Sequence, residues 1–411
     1  MKILHLTEFF APVGGLEQYL FAVCGAMCTA GLSPQVIYGT RLGREPMDAG
    51  FPTTHIPGIA DPAPLPDGTL ERLRAYLAEQ RADIAVVHEV FNPAVLNLLT
   101  SALPTIRFVH GHKLACPGGR RLWARRKAIC SRPVGLTCQA LAYRERCMPR
   151  NPLVGIPLIR RTQALVGLHH SRGEMIAPSG FVRELLLRNQ FNPEQVHVVP
   201  YFTDLPRDPA PERDIVDGRI FCAARLTPEK GVDHLIRALV ALPPPAHLVI
   251  GGAGPFRTEL ESLARHMQVA GRIHFLGWLD RAGIVAAIRN AAIVAVPSVW
   301  PETFGIVGIE AMAHARPVVA YDAGGVREWL EQGRNGLLVP FADQQALSRA
   351  LQSLLGDSGS RQAFGREGRL RVEQRFLATH HLAGFAQVAE RARARWERSV
   401  SRTPGGHDSC P

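Results

Sequence analysis

Short apolar runs alternate with amphipathic stretches along the first half of the chain. Lys2 to Thr7, Gln35 to Tyr38, Ile84 to His88, Thr105 to His110, Met175 to Ala177 and Val196 to Val199 each read as a strand. Between them lie helical patterns such as Leu16 to Ala30, stopped by Gly31, and Phe181 to Arg188, opened by Ser179 as a cap. This βαβ rhythm predicts a parallel sheet covered on both faces. From Thr203 to Gly218 three prolines and many charged residues break the pattern, which predicts a linker. The rhythm restarts with Ile220 to Ala223, His247 to Ile250, Arg272 to Phe275, Ile293 to Val296 and Pro317 to Ala320 as strands, and after Phe341 the pattern is helical to about Arg398. The expected architecture is α/β, with two Rossmann-like, doubly wound parallel-sheet domains facing across a cleft. The expected boundaries are a first domain over 1–203, a linker over 204–218, a second domain over 219–375, C-terminal helices over 376–398, and a disordered tail over 399–411.

A length of 411 residues supports the division, because single cores stop growing at roughly 250 to 300 residues. The 46% hydrophobic and 20% charged content excludes a disordered or collagen-like chain. Apolar stretches such as Leu153 to Ile159 fall far short of the ~20 residues that span a bilayer. Met1 to Phe10 meets a histidine and a glutamate before any long apolar region forms, so it reads as the first strand of a cytoplasmic protein.

Charge changes the picture in one place. Of the net +11, the segment Arg107 to Arg172 holds the whole excess, with fourteen Lys or Arg against a single acid, Glu145; elsewhere 33 bases face 35 acids. Such a segment attracts anionic partners: lipid headgroups, a pyrophosphate-linked acceptor or nucleic acid. A solvated Arg-rich insertion without a partner has the same composition. Nucleic acid is disfavoured, because only Trp123 and Tyr143 follow Phe108 as aromatics there. Four of the eight cysteines, Cys116, Cys130, Cys138 and Cys147, fall in this segment. In a reducing compartment they are candidates for a structural zinc or iron–sulfur site, although their spacing lacks the Cys-x-x-Cys knuckle; loop thiols or a conditional disulfide are the alternative. Cys24, Cys28 and Cys222, in apolar helical or strand stretches, read as core.

Candidate chemistry sits where strands run into helices. Gly14-Gly15 follows the first strand and precedes a helix, where backbone amides and the helix dipole favour a phosphate; a Gly-Gly pair also serves a tight turn. The spacing fits neither the dinucleotide nor the Walker fingerprint. In the second half, Arg225 and Lys230-Gly231 place two cations beside a helix start, a conflict that an anion removes. Gly251-Gly252-Ala253-Gly254-Pro255 is another glycine-rich turn, with Pro255 spoiling a dinucleotide reading. The segment Pro297 to Ala313 carries Ser298, Glu302 and Glu310, the first glutamate in a loop and the second inside the following helix, so both can point into one cleft. Carboxylates accept hydrogen bonds from sugar diols, and Phe304, Gly305 and Ile306 offer amides at the helix start.

These residues together, with His110 after a first-domain strand and Pro317 to Gly325, resemble the family-four retaining glycosyltransferases over nearly the whole chain. The resemblance implies a GT-B fold whose second domain binds a nucleotide-diphosphate sugar, used as co-substrate with no catalytic cofactor, and whose C-terminal helices, here over 376–398, pack back on the first domain. It implies that Glu310 holds the ribose, Glu302 the donor sugar, and Arg225 and Lys230 the diphosphate. The glycine turns at Gly14, Gly15 and Gly254, with Ser298 and the amides of Phe304 to Ile306, would complete the donor site, and His110 would lie beside the donor sugar. The chain contains no Asp-x-Asp metal clamp. The acceptor implied is a saccharide or lipid pyrophosphate used in building cell-surface polysaccharide. The Cys- and Arg-rich insertion over 113–161 departs from the common pattern, and it suits peripheral contact with the anionic inner face of the plasma membrane. A nucleotide-sugar epimerase of the same fold, or a non-catalytic nucleotide-sugar or membrane-binding protein, are the competing readings.

Overall fold

The computed structural model describes residues 1–11, 14–41, 49–61, 64–208 and 214–401. Its contacts divide the chain into two compact units, one of Met1–Gly119, Ser131–Pro200 and the chain from His381 on, the other of Arg120–Cys130 and Tyr201–His380. In chain order the first unit begins with β1 (Lys2–Phe9), α1 (Gly15–Thr29), β2 (Ser33–Thr40), β3 (Thr53–His55), α2 (Thr69–Gln80), β4 (Ile84–Val87), α3 (Pro93–Ala102) and β5 (Thr105–Phe108). A hairpin of β6 (Leu122–Trp123) and β7 (Ala128–Ile129) follows and is grouped with the second unit. The first unit resumes with α4 (Thr137–Glu145), α5 (Pro152–Arg172), β8 (Gly173–Ala177), α6 (Gly180–Arg188) and β9 (Val196–Val198).

Its seven strands form one parallel sheet in the order β3-β2-β1-β4-β5-β8-β9. The strand order reverses between β1 and β4, as a doubly wound fold requires. Ile84 to Val87 are all buried, as expected of a strand with helices on both faces. Local signals set the helix ends. Asn92 accepts from the amides of Ala94 and Val95 ahead of α3, Ser179 accepts from Val182 ahead of α6, and Gly31 leaves α1 with φ of +76°. Along α1 the buried arc is Tyr19, Leu20, Val23, Cys24 and Met27. Cys28 lies at the edge of that arc and is exposed, which corrects its reading as core, whereas Cys24 and Cys222 are buried.

The second unit contains β10 (Arg219–Ala223), α7 (Val232–Leu239), β11 (His247–Gly251), α8 (Arg257–His266), β12 (Ile273–Gly277), α9 (Arg281–Arg289), β13 (Ile293–Val296), α10 (Ile306–Ala313), β14 (Val318–Tyr321), β15 (Gly336–Val339), α11 (Gln344–Gly356) and α12 (Ser358–Arg375). All six strands are parallel, in the order β12-β11-β10-β13-β14-β15, with the reversal between β10 and β13. Strands β3, β6, β7 and β15 went unread in the sequence because each is only two to four residues long, too short to establish a period. The insertion read as a loop over 113–161 holds the hairpin, α4 and the start of α5, with Ala142, Met148 and Ile159 as a small core of its own.

The last helix, α13 (Ala378–Ser401), carries residues 399–401, which had been read as tail; the remainder of that tail, 402–411, and 209–213 of the expected linker lie outside the described residues. From His381 on, α13 belongs to the first unit. The Tyr19 hydroxyl lies 3.0 Å from His381 Nε2, His381 Nδ1 lies 2.7 Å from the Pro200 carbonyl, and Arg395 Nε donates to Glu174 at 2.6 Å. A carbonyl only accepts, so His381 carries its proton on Nδ1 and accepts from Tyr19. Burial lowers its pKa from 6.5 to about 4, against the opposing pull of the Pro200 hydrogen bond. The unfolded chain therefore binds the proton more readily. The stabilisation is full above the unfolded value and is lost as pH falls through the window from 6.5 to about 4. His381→Phe should lower stability at pH 7 by on the order of 2 kcal/mol and flatten the pH dependence of the melting temperature between pH 7 and 4, measured by differential scanning calorimetry.

Candidate functional site

Open parallel sheets bind ligands outside the carboxyl ends of the strands where the order reverses. In the second unit those ends are the loop after β10, which carries Arg225 and Lys230, and the loop after β13, which carries Ser298 and Glu302. Val299 donates its amide to the Glu229 carbonyl at 2.9 Å, and Ser298 Oγ donates to the same oxygen at 3.3 Å. Gly231, at φ of +65°, permits the approach, since a Cβ there would stand 2.0 Å from the Pro297 carbonyl. The result is a 2.7 Å ion pair between Lys230 Nζ and Glu302 Oε1, with the ammonium also 5.9 Å from the centre of the Trp300 ring. Glu302 is held by its backbone, which donates to Ala323 at 3.2 Å and accepts from Gly325 at 2.7 Å in the loop after β14. Arg225 is exposed and forms no ion pair among the described residues.

The loop after β11 packs directly on the loop after β10. Ala224 donates to Gly251 and Leu226 to Ala253, each at 3.0 Å. A Cβ on Gly254 would stand 2.2 Å from the Leu226 carbonyl oxygen, so contact with the neighbouring backbone selects glycine here. After the β13 loop, α10 starts behind its cap residue Gly305, which has φ of +94°, and no side chain caps the helix. Of its first-turn amides, that of Gly308 donates to the Gly305 carbonyl at 3.0 Å, and none is capped by a side chain at the positive end of the dipole. Trp329, fully buried, donates its indole N–H to the Phe304 carbonyl at 2.7 Å and fills the space over Gly308, where a Cβ would stand 2.3 Å from the ring. This indole fixes the direction of the helix start, and nothing in the one-dimensional pattern points to it.

Glu310 lies inside α10 and is partly buried. Burial raises its carboxyl pKa, Arg281 opposes that shift, and Asp204 adds to it. The structure thus brings Lys230 and Glu302 into contact, whereas the charges acting on Glu310 are those of the Arg281–Asp204 ion pair.

In the first unit, the reversal point lies between β1 and β4. Gly14 caps α1 in extended conformation without a side-chain bond, and no heavy atom lies within 4 Å of a Cβ built on Gly15. Packing among the described residues therefore does not demand glycine at position 15; Pro12 and Val13 of the turn lie outside the described residues. His110, two residues beyond β5, stacks on Phe108 with ring centres 4.5 Å apart, and its Nε2 lies 2.7 Å from His88 Nδ1. Burial, then the positive charge of Arg107, then His381, hold the His110 pKa well below the usual histidine value. His110 is thus neutral near pH 7. His88 escaped the sequence reading because it reads as the polar end of a strand.

The cysteines do not assemble. Cys116 begins a turn closed by a 2.9 Å bond from Gly119, Cys130 ends the β6–β7 hairpin, and Cys138 and Cys147 pack on the small core between α4 and α5. Among the described residues no group of three or more His, Cys, Asp or Glu side chains is placed to hold a metal ion, which corrects the expectation of a zinc or iron–sulfur site at Cys116, Cys130, Cys138 and Cys147.

Two doubly wound units, with cations, glycines and an uncapped helix at the reversal of the second sheet, define a GT-B protein. Comparison with known proteins agrees. A family model described as "Glycosyl transferases group 1" matches residues 213–371, and one described as "Glycosyltransferase Family 4" matches residues 13–207. The chain belongs to this glycosyltransferase family. It is 36% identical over 229 residues to a D-inositol 3-phosphate glycosyltransferase of Jonesia denitrificans, an alignment spanning 49% of this chain and 53% of the relative. Thus the chain spans about half the length of that relative. It is 28% identical over 393 residues, 90% of this chain and 93% of the relative, to a GDP-mannose-dependent monoacylated alpha-(1-6)-phosphatidylinositol monomannoside mannosyltransferase of Corynebacterium glutamicum. Among solved structures it resembles Anabaena HepE in complex with UDP, at a TM-score of 0.72 and 20% identity over 95% of this chain and 100% of the other.

The close backbone approach at Gly254 generates a direct test. Gly254→Ala should displace the loop carrying Arg225 and lower stability by ~1–3 kcal/mol in urea unfolding, whereas Gly15→Ala, facing open space, should leave it within ~0.5 kcal/mol.

Proposed function

We propose that the protein transfers a sugar, with retention of anomeric configuration, from a nucleotide-diphosphate donor to a saccharide or lipid-pyrophosphate acceptor in cell-surface polysaccharide synthesis. The observation that carries this reading is the Lys230–Glu302 pair at 2.7 Å on the reversal edge of the second sheet, in the loop that leads into the uncapped start of α10. A cation, a carboxylate and helix amides offered together match a diphosphate attached to a polyol. In this reading Lys230 and Arg225 take the phosphates, with Ser298 and the amides of Phe304, Gly305 and Ile306 beside them and Gly254 keeping the approach open. Glu302 accepts from the donor sugar's hydroxyls and Glu310 from the ribose. Gly14, Gly15 and His110 are assigned to the phosphate and the reacting sugar.

The chemistry follows from where charge develops. As the glycosidic bond lengthens, negative charge grows on the departing phosphate, and preoriented cations and amides stabilise that state more than the ground state. Glu302 suits a hydroxyl ligand better than a nucleophile, because Lys230 holds its charge in an ion pair. The leaving phosphate is then the base for the acceptor hydroxyl, on the same face of the sugar. The relatives' names bear on donor and acceptor class: one is GDP-mannose-dependent and acts on a phosphatidylinositol mannoside, and a structural neighbour is described with UDP.

For the acceptor side, we assign the insertion to an anionic membrane surface at the inner face of the plasma membrane. Leu136 just ahead of α4, Tyr143 on it, and Leu153 and Val154 at the start of α5 are exposed, Leu153 at 84%, in company with exposed Arg132, Arg144, Arg146, Arg150 and Arg160. Apolar side chains amid arginines suit an interface of headgroups and acyl chains. No helix of the described residues is long and apolar enough to cross a membrane.

Thermal-shift measurements with UDP, GDP, ADP and their sugars should show one nucleotide stabilising the wild type, by ~2.7 kcal/mol at about 100 times its dissociation constant, and not Glu310→Ala. Arg225→Ala or Lys230→Ala should then lower kcat by ~10² to 10³ with the matching donor; unchanged kcat would remove both from the phosphate role. Sedimentation with phosphatidylglycerol vesicles should bring down the wild type and leave Leu153→Asp/Val154→Asp in the supernatant, and equal pelleting of both would end the membrane assignment.

A further inference from the structure

An open cavity of about 450 Å³ lies at the β9 edge of the first sheet, away from the reversal between β1 and β4. β9 is the last strand of that sheet, so its outer edge has no neighbouring strand. Val199 donates its amide to the Ala177 carbonyl of β8 at 3.0 Å. Backbone groups face alternate sides along a strand, so those of Val196 and Val198 face outward. The Val196 carbonyl accepts from Arg183 Nε of α6 at 3.2 Å, and Val198 is 37% exposed. The opposite wall is α13, whose Gly384, Gln387, Val388 and Arg391 share one face by their spacings of three and four. The helix is held at both ends of this face. A Cβ on Gly384 would stand 3.2 Å from the Val199 side chain, and Arg395, one turn beyond Arg391, donates to buried Glu174 at 2.6 Å.

Charge gives this cavity its chemistry. Two guanidiniums, Arg183 and Arg391, line it against a single carboxylate, Glu194. Arg188 and Arg395, on the same two helices, pair with Glu184 and Glu174, whereas among the described residues neither cavity-lining arginine has a carboxylate partner, Glu194 included. Like charges gathered at one cavity repel, and an anion between them removes the conflict. A guanidinium is a planar fork that matches phosphate oxygens, and Arg183, with Nε spent on Val196, retains both terminal amino groups for one. The Gln387 amide supplies a neutral donor and acceptor on the same wall. The volume falls in the ~300–1,000 Å³ range of small-molecule sites, more than a bare phosphate fills, so the occupant carries further polar atoms.

We propose that the cleft between β9 and α13 is a second ligand site, for a phosphate group carried on a small polyol, with Arg183 and Arg391 on the phosphate and Gln387 on the polyol. The assignment does not rest on the glycosyl-transfer reading, because none of these residues belongs to the proposed transfer site. A free phosphorylated polyol and the headgroup of a glycerophospholipid present this same chemistry.

The test is isothermal titration of the full chain with glycerol 1-phosphate, with inorganic phosphate as the bare-anion control. The expected result is binding of glycerol 1-phosphate that weakens roughly tenfold or more in Arg183→Gln/Arg391→Gln and stays within about twofold in Lys230→Gln, on the other unit. Equal binding by the double variant overturns the proposal, as does loss in Lys230→Gln alone, which would move the ligand to the proposed donor site. No binding by the wild type up to ~10 mM overturns it too, and inorganic phosphate binding as tightly as glycerol 1-phosphate reduces the cleft to an unselective anion contact. Arg183→Gln also surrenders the bond to the Val196 carbonyl. If it fails to fold by thermal melting, Arg391→Gln alone carries the comparison. Sedimentation with phosphatidylglycerol vesicles separates the two sources. Pelleting that falls in the double variant assigns the site to a lipid headgroup, and pelleting unchanged or absent beside lost glycerol 1-phosphate binding assigns it to a free phosphorylated polyol.

Discussion

A parallel sheet buried on both faces constrains everything else in each unit. Its strands donate and accept only sideways, so helices must cover both faces, and the crossovers that bring them there are right-handed. Covering two faces from one starting strand obliges the order to reverse, at β1/β4 in one sheet and at β10/β13 in the other. At each reversal two loops leave the same edge in opposite directions and open a crevice. Gly14 and Gly15 flank one of these crevices, and Lys230 and Glu302 flank the other. The chemistry is therefore located by topology before any side chain is chosen.

Within the second unit, packing converts that crevice into an oriented site. Glycines at 231, 252 and 254 let backbones approach to distances that a Cβ would forbid, which brings the β10, β11 and β13 loops together. Trp329 then anchors the start of α10 through the Phe304 carbonyl. The charged groups sit on a frame held by close backbone approaches and by the Trp329 and Ser298 side-chain hydrogen bonds to backbone carbonyls. Lys230 and Glu302 neutralise each other in that frame.

The first unit uses a different device. It buries neutral histidines in a line tied to the sheet register and flanked by Tyr19, Phe108 and His381. Burial keeps these rings uncharged, and their mutual hydrogen bonds make their tautomers interdependent. The same helix that supplies His381 returns Arg395 to buried Glu174, so α13 from His381 on is part of this unit's structure.

Much of this was readable in one dimension. Apolar runs of three to six residues alternating with helical periods determined the two α/β sheets, Ser179 and Gly31 marked helix ends, and the grouping of Arg225, Lys230, Glu302 and Glu310 with glycine turns pointed to the family. Three kinds of information were not readable, each for a physical reason. Short strands such as β3 and β15 are made by pairing with a neighbour rather than by their own pattern. Cysteine proximity depends on how the insertion folds, and α4, α5 and a hairpin carry Cys116, Cys130, Cys138 and Cys147 to places that do not form a metal site. The His5–His88–His110 line depends on register between strands 83 and 22 residues apart in sequence, which local periodicity does not encode. Sequence determined which residues belong to strand ends and turns, because hydrophobic period and backbone preference are local; tertiary structure decided which of them meet, because that follows from strand order and register.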